Sequence, residues 1–469
     1  MRAVVAAVVS PRAMHQEDRV MFRKLTRLVY GEHRGAGTKP FVPKPLPAGE
    51  AAIAPGGQSR YLWTDAFGVL NFVTEAARCA EAGDEEGRED ALSAAEALVE
   101  AVCAVLGRPR SSDLPMARSP REPLRGARNE GADGSGEARP AERYRGLRIG
   151  KRLASAASDP GMALDGMYFH YVDKFVFALA RLGDALGGAE TKRGARIVAE
   201  ACAIVQDVHD LFVERADASE ASEPLRRTTL GGPDAANNAA GDAKRKPLKK
   251  KPCVGIRWKL NVDGTPVRGL PPTRLSSDAV SGAVAWSAAS RLALRGVPKP
   301  GPDREASLAR ETEDMRDMAA RLRPAVSLDP LGWGMQMWES QWVPAATELA
   351  ERGAPEWREW SAFAAALRAS ARVPGGDFAS GRGRLGELPF RAYGAFLGAR
   401  VGGRGDLAET AARAARDAAA AELAGLDSRL SGAESRSLSD GLTAINRVML
   451  ASALDPLAFR RLADEPCIF

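Results

Sequence analysis

"DGMYFHYVDKFVFALARL", residues 165–182, decides the fold. It opens on Asp-Gly, a common turn pairing. Two of the chain's six tyrosines and one of its four histidines then fall within four residues, 168–171. After them the pattern is apolar on nearly every helical face. A helix with one apolar stripe covers a core from outside, whereas a helix apolar all round is enclosed by protein. Residues 163–184 therefore read as an inner helix entered through a polar and aromatic cluster.

The same 3.6-residue period recurs along the chain, and no strand-like alternation persists. It predicts helices near 15–30, 61–80, 88–107, 163–184, 190–213, 278–295, 303–323, 334–351, 355–371, 387–400, 405–425 and 436–453. The even members of that series resemble the opening stretch. The odd members are amphipathic; Ile197, Val198, Ala201, Ile204, Val205, Val208, Leu211 and Phe212 mark one face of the helix at 190–213. Twelve helices alternating in this way, joined by short turns such as "GDEEGRED", fit six hairpins with an inner and an outer ring. The expected fold is all-α, a single (α/α)6 toroid domain over residues 1–469. Its six inner helices would point the same way, so their N-termini would share one rim.

Two stretches interrupt the pattern. Residues 108–145 and 216–251 are rich in Pro, Gly, Ser and charge, too poor in apolar surface to offset ordering entropy, and read as disordered insertions. The second ends in "KRKPLKKK" (244–251), which holds six cations and equals the whole formal excess of +6. A solvated loop tip is the expected role for this run, and no nucleic-acid surface is expected from the rest. The five cysteines (79, 103, 202, 253, 467) are scattered, without C-x-x-C spacing, which argues against a disulfide framework or zinc knuckle. No apolar run approaches the ~20 residues that span a bilayer. The N-terminal "MRAVVAAVVSPRA" matches a targeting segment poorly, so the expected compartment is cytoplasmic, with no membrane partner.

The inner helices open on "RYLWTDAFGV" (60–69), "DGMYFHY" (165–171), "SSDAVSG" (276–282), "PLGWGMQMWESQW" (330–342), "LPFRAYGAF" (388–396) and "SDGLTAINR" (439–447). Acids recur in them: Asp65, Asp165, Asp278, Glu339 and Asp440. A single acid at a helix start is commonly a cap, favoured by free N–H groups and the macrodipole. Capping does not account for the aromatic company. Tryptophan and tyrosine faces stack on pyranose rings, carboxylates accept from sugar hydroxyls, and a pair of carboxylates can cleave a glycosidic bond. Asp65, Asp165, Asp278 and Glu339 are the catalytic candidates. Arg60, Trp63, Tyr168, His170, Tyr171, Lys174, Trp258, Trp333, Trp338 and Arg391 are the substrate-binding candidates. His170 and Lys174 lie one helical turn apart and share a face. Trp357 and Trp360 read as outer-helix packing.

Together with "GLRIGK" (146–151) and "INRVMLASAL" (445–454), these blocks resemble a poorly characterised family of six-hairpin glycosidase-like proteins. The resemblance covers most of the chain outside the two insertions. It implies the toroid and a carbohydrate-related activity. One block departs from the family's His-Asp-Pro-x-Asp-Gly pattern: Asp278 and Gly282 match, while Ser277 stands at the histidine and Ser281 at the second acid. No metal site is expected from four dispersed histidines, and no cofactor, because neither a Walker motif nor a dinucleotide fingerprint is present. Three readings stay open: an inverting glycoside hydrolase, a sugar epimerase or isomerase using His170, and a non-catalytic carbohydrate-binding protein.

Overall fold

The computed structural model describes residues 16–33, 40–46, 59–109, 144–151, 164–216, 252–273, 276–295, 302–370, 388–430 and 440–462, with the single positions 116, 118, 119, 373, 465 and 467. The lysine run, the first fifteen residues and nearly all of both expected insertions lie outside the described residues. Thirteen α-helices are found among the described residues. They are α1 (Gln16–Tyr30), α2 (Leu62–Glu81), α3 (Glu85–Leu106), α4 (Phe169–Ala185), α5 (Lys192–Phe212), α6 (Ser276–Arg295), α7 (Pro302–Arg321), α8 (Pro330–Glu339), α9 (Ala346–Arg352), α10 (Arg358–Ala369), α11 (Pro389–Gly402), α12 (Asp406–Leu430) and α13 (Asp440–Leu454). The chain is mostly helical, and no helix among the described residues is long and apolar enough to cross a membrane.

The apolar pattern sorts these helices into two environments. In α2 every residue from Leu62 to Ala76 is buried, and in α4 every residue from Tyr171 to Gly183. In α12 the buried side chains instead form a stripe at every fourth residue, Leu407, Ala411, Ala415, Ala419 and Leu423, with exposed positions between. Removing a side chain such as Phe175 or Leu179 of α4 from water contributes roughly 1.5–3 kcal/mol, so the enclosed helices hold most of the core.

The enclosed helices touch in cyclic succession. α2 packs on α4, α4 on α6, α6 on α8, α8 on α11, α11 on α13, and α13 back on α2. The α6–α8 contact is sparse, whereas α8 and α11 approach backbone to backbone. A Cβ at Gly398 would meet the Gly334 carbonyl at 2.1 Å, and one at Gly334 would meet the Gly394 carbonyl at 2.1 Å. The amphipathic helices lie against individual members of this series: α3 on α2, α5 on α4, α7 on α6, α12 on α11, and α1 on α13.

Two local features differ from the sequence expectation. The helix expected at 334–351 is three pieces: α8, a 3-10 turn at Ser340–Trp342, and α9. Val343 is extended at φ −77°, ψ 126°, as a residue before proline prefers, and Pro344 supplies no N–H to continue the turn. α8 instead starts earlier, with Pro330 in its first turn and the Asp329 carboxylate accepting from Gly332 N at 2.9 Å. Four short strands also occur among the described residues: β1 (Met167–Tyr168), β2 (Val213–Arg215), β3 (Cys253–Ile256) and β4 (Lys259–Leu260). β1 pairs with β4 and β2 with β3, both antiparallel. Strands of two to four residues are too short to show alternation, and they tie the chain before α4 to the segment that follows α5.

Candidate functional site

The amino ends of the enclosed helices meet at a cavity of about 440 Å³. Its wall takes Tyr61 and Trp63 from the start of α2, and His170, Tyr171 and Lys174 from α4. α6 contributes Ser277, Asp278 and Ser281, α8 contributes Leu331, Met335, Gln336 and Glu339, α11 contributes Phe390 and Arg391, and α13 contributes Ile445. Lys151 enters from the loop before α4, and Asp329 caps α8 at the mouth. All six enclosed helices therefore contribute. Sequence candidates on this wall are Trp63, His170, Tyr171, Lys174, Asp278, Glu339 and Arg391.

The aromatic side is built from α2 and α4. The Tyr61 and Tyr171 hydroxyls are 2.7 Å apart and share a hydrogen bond, with the rings edge to face. Trp63 lies 5.2 Å from the Tyr171 centroid and 6.1 Å from His170. Such ring pairs fix one another's orientation and add roughly 0.5–1.5 kcal/mol beyond burial.

The same wall carries a charged cluster. The Lys174 ammonium donates to Glu339 Oε1 at 2.8 Å, to Asp173 Oδ1 at 3.3 Å and to the Ser281 hydroxyl, and Ser281 in turn donates to Glu339. Its Nζ also stands 5.0 Å from the Trp338 ring, beneath the cavity floor. Burial disfavours the ammonium, but the Asp173 and Glu339 carboxylates outweigh it and hold Lys174 above its ordinary value. Two carboxyls, Asp173 and Glu339, thus share one cation. Burial, with the charge of Asp173, pushes Asp278 up to about 7, although Thr273 donates to it at 3.3 Å. Burial raises Glu339 as well, against the pull of Lys174 and Ser281. His170 moves the other way, down to about 3, through burial and then the nearby Lys174 charge. Near neutrality the cavity therefore presents a neutral imidazole and a carboxyl close to half-protonated.

The other sequence candidates are placed elsewhere. Asp65 is fully buried behind the wall, where its carboxylate accepts from Tyr61 N at 3.3 Å and Arg60 Nη1 at 3.4 Å. Burial, opposed first by Arg60, raises it to about 6. Arg60 also donates to the carbonyls of Pro43 (3.0 Å) and Lys44. Asp165 is equally buried; Oδ1 accepts from Gly150 N (2.9 Å) and Lys151 N (3.1 Å), and Oδ2 from Arg148 Nη1 (3.0 Å). Tyr168 lies in β1 and packs edge-on against Trp258 at 5.4 Å. Trp333 is buried in α8, and Trp338 donates its indole N–H to the Phe459 carbonyl at 2.7 Å. None of these seven reaches the cavity wall.

The sequence reading passed over Tyr61, Lys151, Asp173, Asp329 and Gln336, and treated Ser281 only as a lost acid. Tyr61 and Lys151 stood inside quoted blocks, beside Trp63 and at the end of "GLRIGK". Asp173 gave no signal beyond being an acid inside an otherwise apolar helix, which is itself costly unless paired. Comparisons with models of known families, with curated proteins and with solved structures give no match to this chain.

Proposed function

We propose that the protein is a cytoplasmic carbohydrate-active enzyme of glycoside-hydrolase type, an (α/α)6 toroid that binds a saccharide at the convergent helix ends. The ring reading is supported by the cyclic succession of contacts from α2 through α13 and back. The scattered cysteine spacing, without C-x-x-C, fits a reducing compartment. The observation that carries the functional reading is one cavity whose wall holds both aromatic rings and two carboxyls, Asp278 and Glu339. Its volume is within the range of small-molecule sites.

In this reading Asp278, which keeps a proton up to about pH 7, gives it to the glycosidic oxygen as the C–O bond breaks. Glu339, whose ionised form is supported by Lys174 and Ser281, takes a proton from the attacking water as its oxygen bonds to the anomeric carbon. The configuration inverts, and two free sugars result. Tyr61, Trp63 and Tyr171 offer the ring faces on which a pyranose stacks.

A second reading rests on His170. It lines the same cavity, where the proton-transfer group of an epimerase or isomerase would stand, although burial that pushes it down to about 3 makes it a weak base there.

A panel of glycosides separates these. Hydrolysis predicts reducing-sugar release that declines as pH rises through about 7 and falls about 10²–10⁴-fold in Asp278→Asn. Undiminished release in that variant would sink the acid assignment. Solvent deuterium entering a free monosaccharide, lost in His170→Ala, would establish the second reading. Saccharide-dependent thermal stabilisation without turnover would leave a binding protein.

A further inference from the structure

We propose that the saccharide carries an anionic substituent, a carboxylate or a phosphate, recognised by Lys151, with Asp165 as the positioning residue behind it. This rests on the saccharide reading of the same cavity. Lys151 lines the cavity with its ammonium 5.4 Å from the centroid of the Tyr61 ring. The Tyr61 hydroxyl is bonded to Tyr171, so ring and ammonium form one fixed patch. An apolar face beside a cation fits a sugar ring bearing a negative group.

The loop that delivers Lys151 is built rather than incidental. Arg148 N donates to Leu106 O, Ile149 N to Gly166 O at 2.8 Å, and Leu62 N to Ile149 O, so the loop is woven between α2, α3 and the entrance to α4. Gly150 is left-handed at φ +89°, and a Cβ there would meet the Arg60 carbonyl at 2.1 Å. Asp165 then grips the last two amides and the Arg148 guanidinium, with no solvent access of its own. A buried carboxylate used to fix two consecutive amides sets where the Lys151 side chain departs.

The surrounding field favours the same charge. α2, α4, α6 and α11 bring their first turns to the cavity, and the macrodipole there, about half a positive charge, favours an anion. Glu339 faces Lys174, and Asp278 is only partly ionised near neutrality. The Lys174 ammonium thus offsets part of the negative charge of Asp173 and Glu339.

The test measures binding of the full chain, by calorimetry and thermal shift, to matched sets of probes. These are glucose and galactose with their short oligosaccharides, glucuronate and galacturonate with theirs, and glucose 6-phosphate. The expected result is about tenfold or greater preference for an acidic set. Lys151→Gln should reduce acidic probes to the neutral level, and Lys151→Arg should restore most of the preference. Asp165→Asn should weaken acidic probes more than neutral ones, which a purely structural role would not do. Preference for uronates identifies a carboxylate, and preference for glucose 6-phosphate identifies a phosphate; either supports the proposal. Equal binding of neutral and acidic probes, or a preference that survives Lys151→Gln, overturns it and leaves the saccharide reading standing. No binding by any probe overturns both.

Discussion

Asp165 and Asp278 begin in the same sequence setting, each an acid in the cluster that opens an enclosed helix, yet they reach opposite ends. Asp165 is closed off among two amides and an arginine. Asp278 faces the cavity with one threonine hydroxyl and two other carboxyls in its field. Asp65 resembles Asp165, with Arg60 and the Tyr61 amide as donors, and Glu339 resembles Asp278. The difference is in the donors. An arginine with backbone N–H groups satisfies a carboxylate and fixes it as architecture. A shared lysine and a hydroxyl leave proton affinity available for chemistry.

Mutations that remove one donor at a time would break or sharpen this contrast. The largest effect is expected from Arg148→Ala, which leaves Asp165 buried without its arginine; losing one partner of a buried pair costs about 3–5 kcal/mol. Urea unfolding should show this at every pH from 6 to 9, and a loss under 1 kcal/mol would move Asp165 out of the architectural group. Lys174→Met comes next, at about 3 kcal/mol near pH 8, and here pH matters. Without the ammonium, Asp173 and Glu339 rise further above their ordinary values. Carboxyls raised in the folded state hold protons that the unfolded chain has released, so stability falls as pH climbs through the folded values. The deficit should therefore shrink toward pH 4; a pH-independent deficit would show that the cluster does not share protons. The smallest effect is expected from Tyr61→Phe, which removes the hydroxyl pair with Tyr171 and costs about 1 kcal/mol with the ring retained. Acidic-saccharide affinity should survive it.

The helices were legible because burial on all sides leaves an unmistakable apolar run, as in α2 and α4. Their convergent starts were legible for the same reason, since each run was preceded by polar and aromatic residues. Which side chains look into the cavity was not. Once a helix is enclosed, periodicity no longer marks one face, so Trp333 and Trp338 read the same as Trp63. Tyr168 misled because two residues of strand precede α4 and turn that ring back onto Trp258. Glu339 reaches the cavity from the last residue of α8 only because that helix has 10 residues. Its expected continuation to residue 351 ignored Pro344. Lys151 depends on a loop held by contacts distant in sequence, which no local pattern encodes.

The glycine contact between α8 and α11 has a mechanical consequence. Gly334, Gly394 and Gly398 bring the two backbones of α8 and α11 together, so at these positions any added side chain would force the helices apart. α6 and α8 pack less extensively, and here polar bonds take the place of close backbone approach: Ser281 on α6 donates to Glu339 on α8, and Lys174 of α4 bonds both. The position of Asp278 relative to Glu339 therefore depends on a hydrogen-bonded joint between two helices rather than on either helix alone.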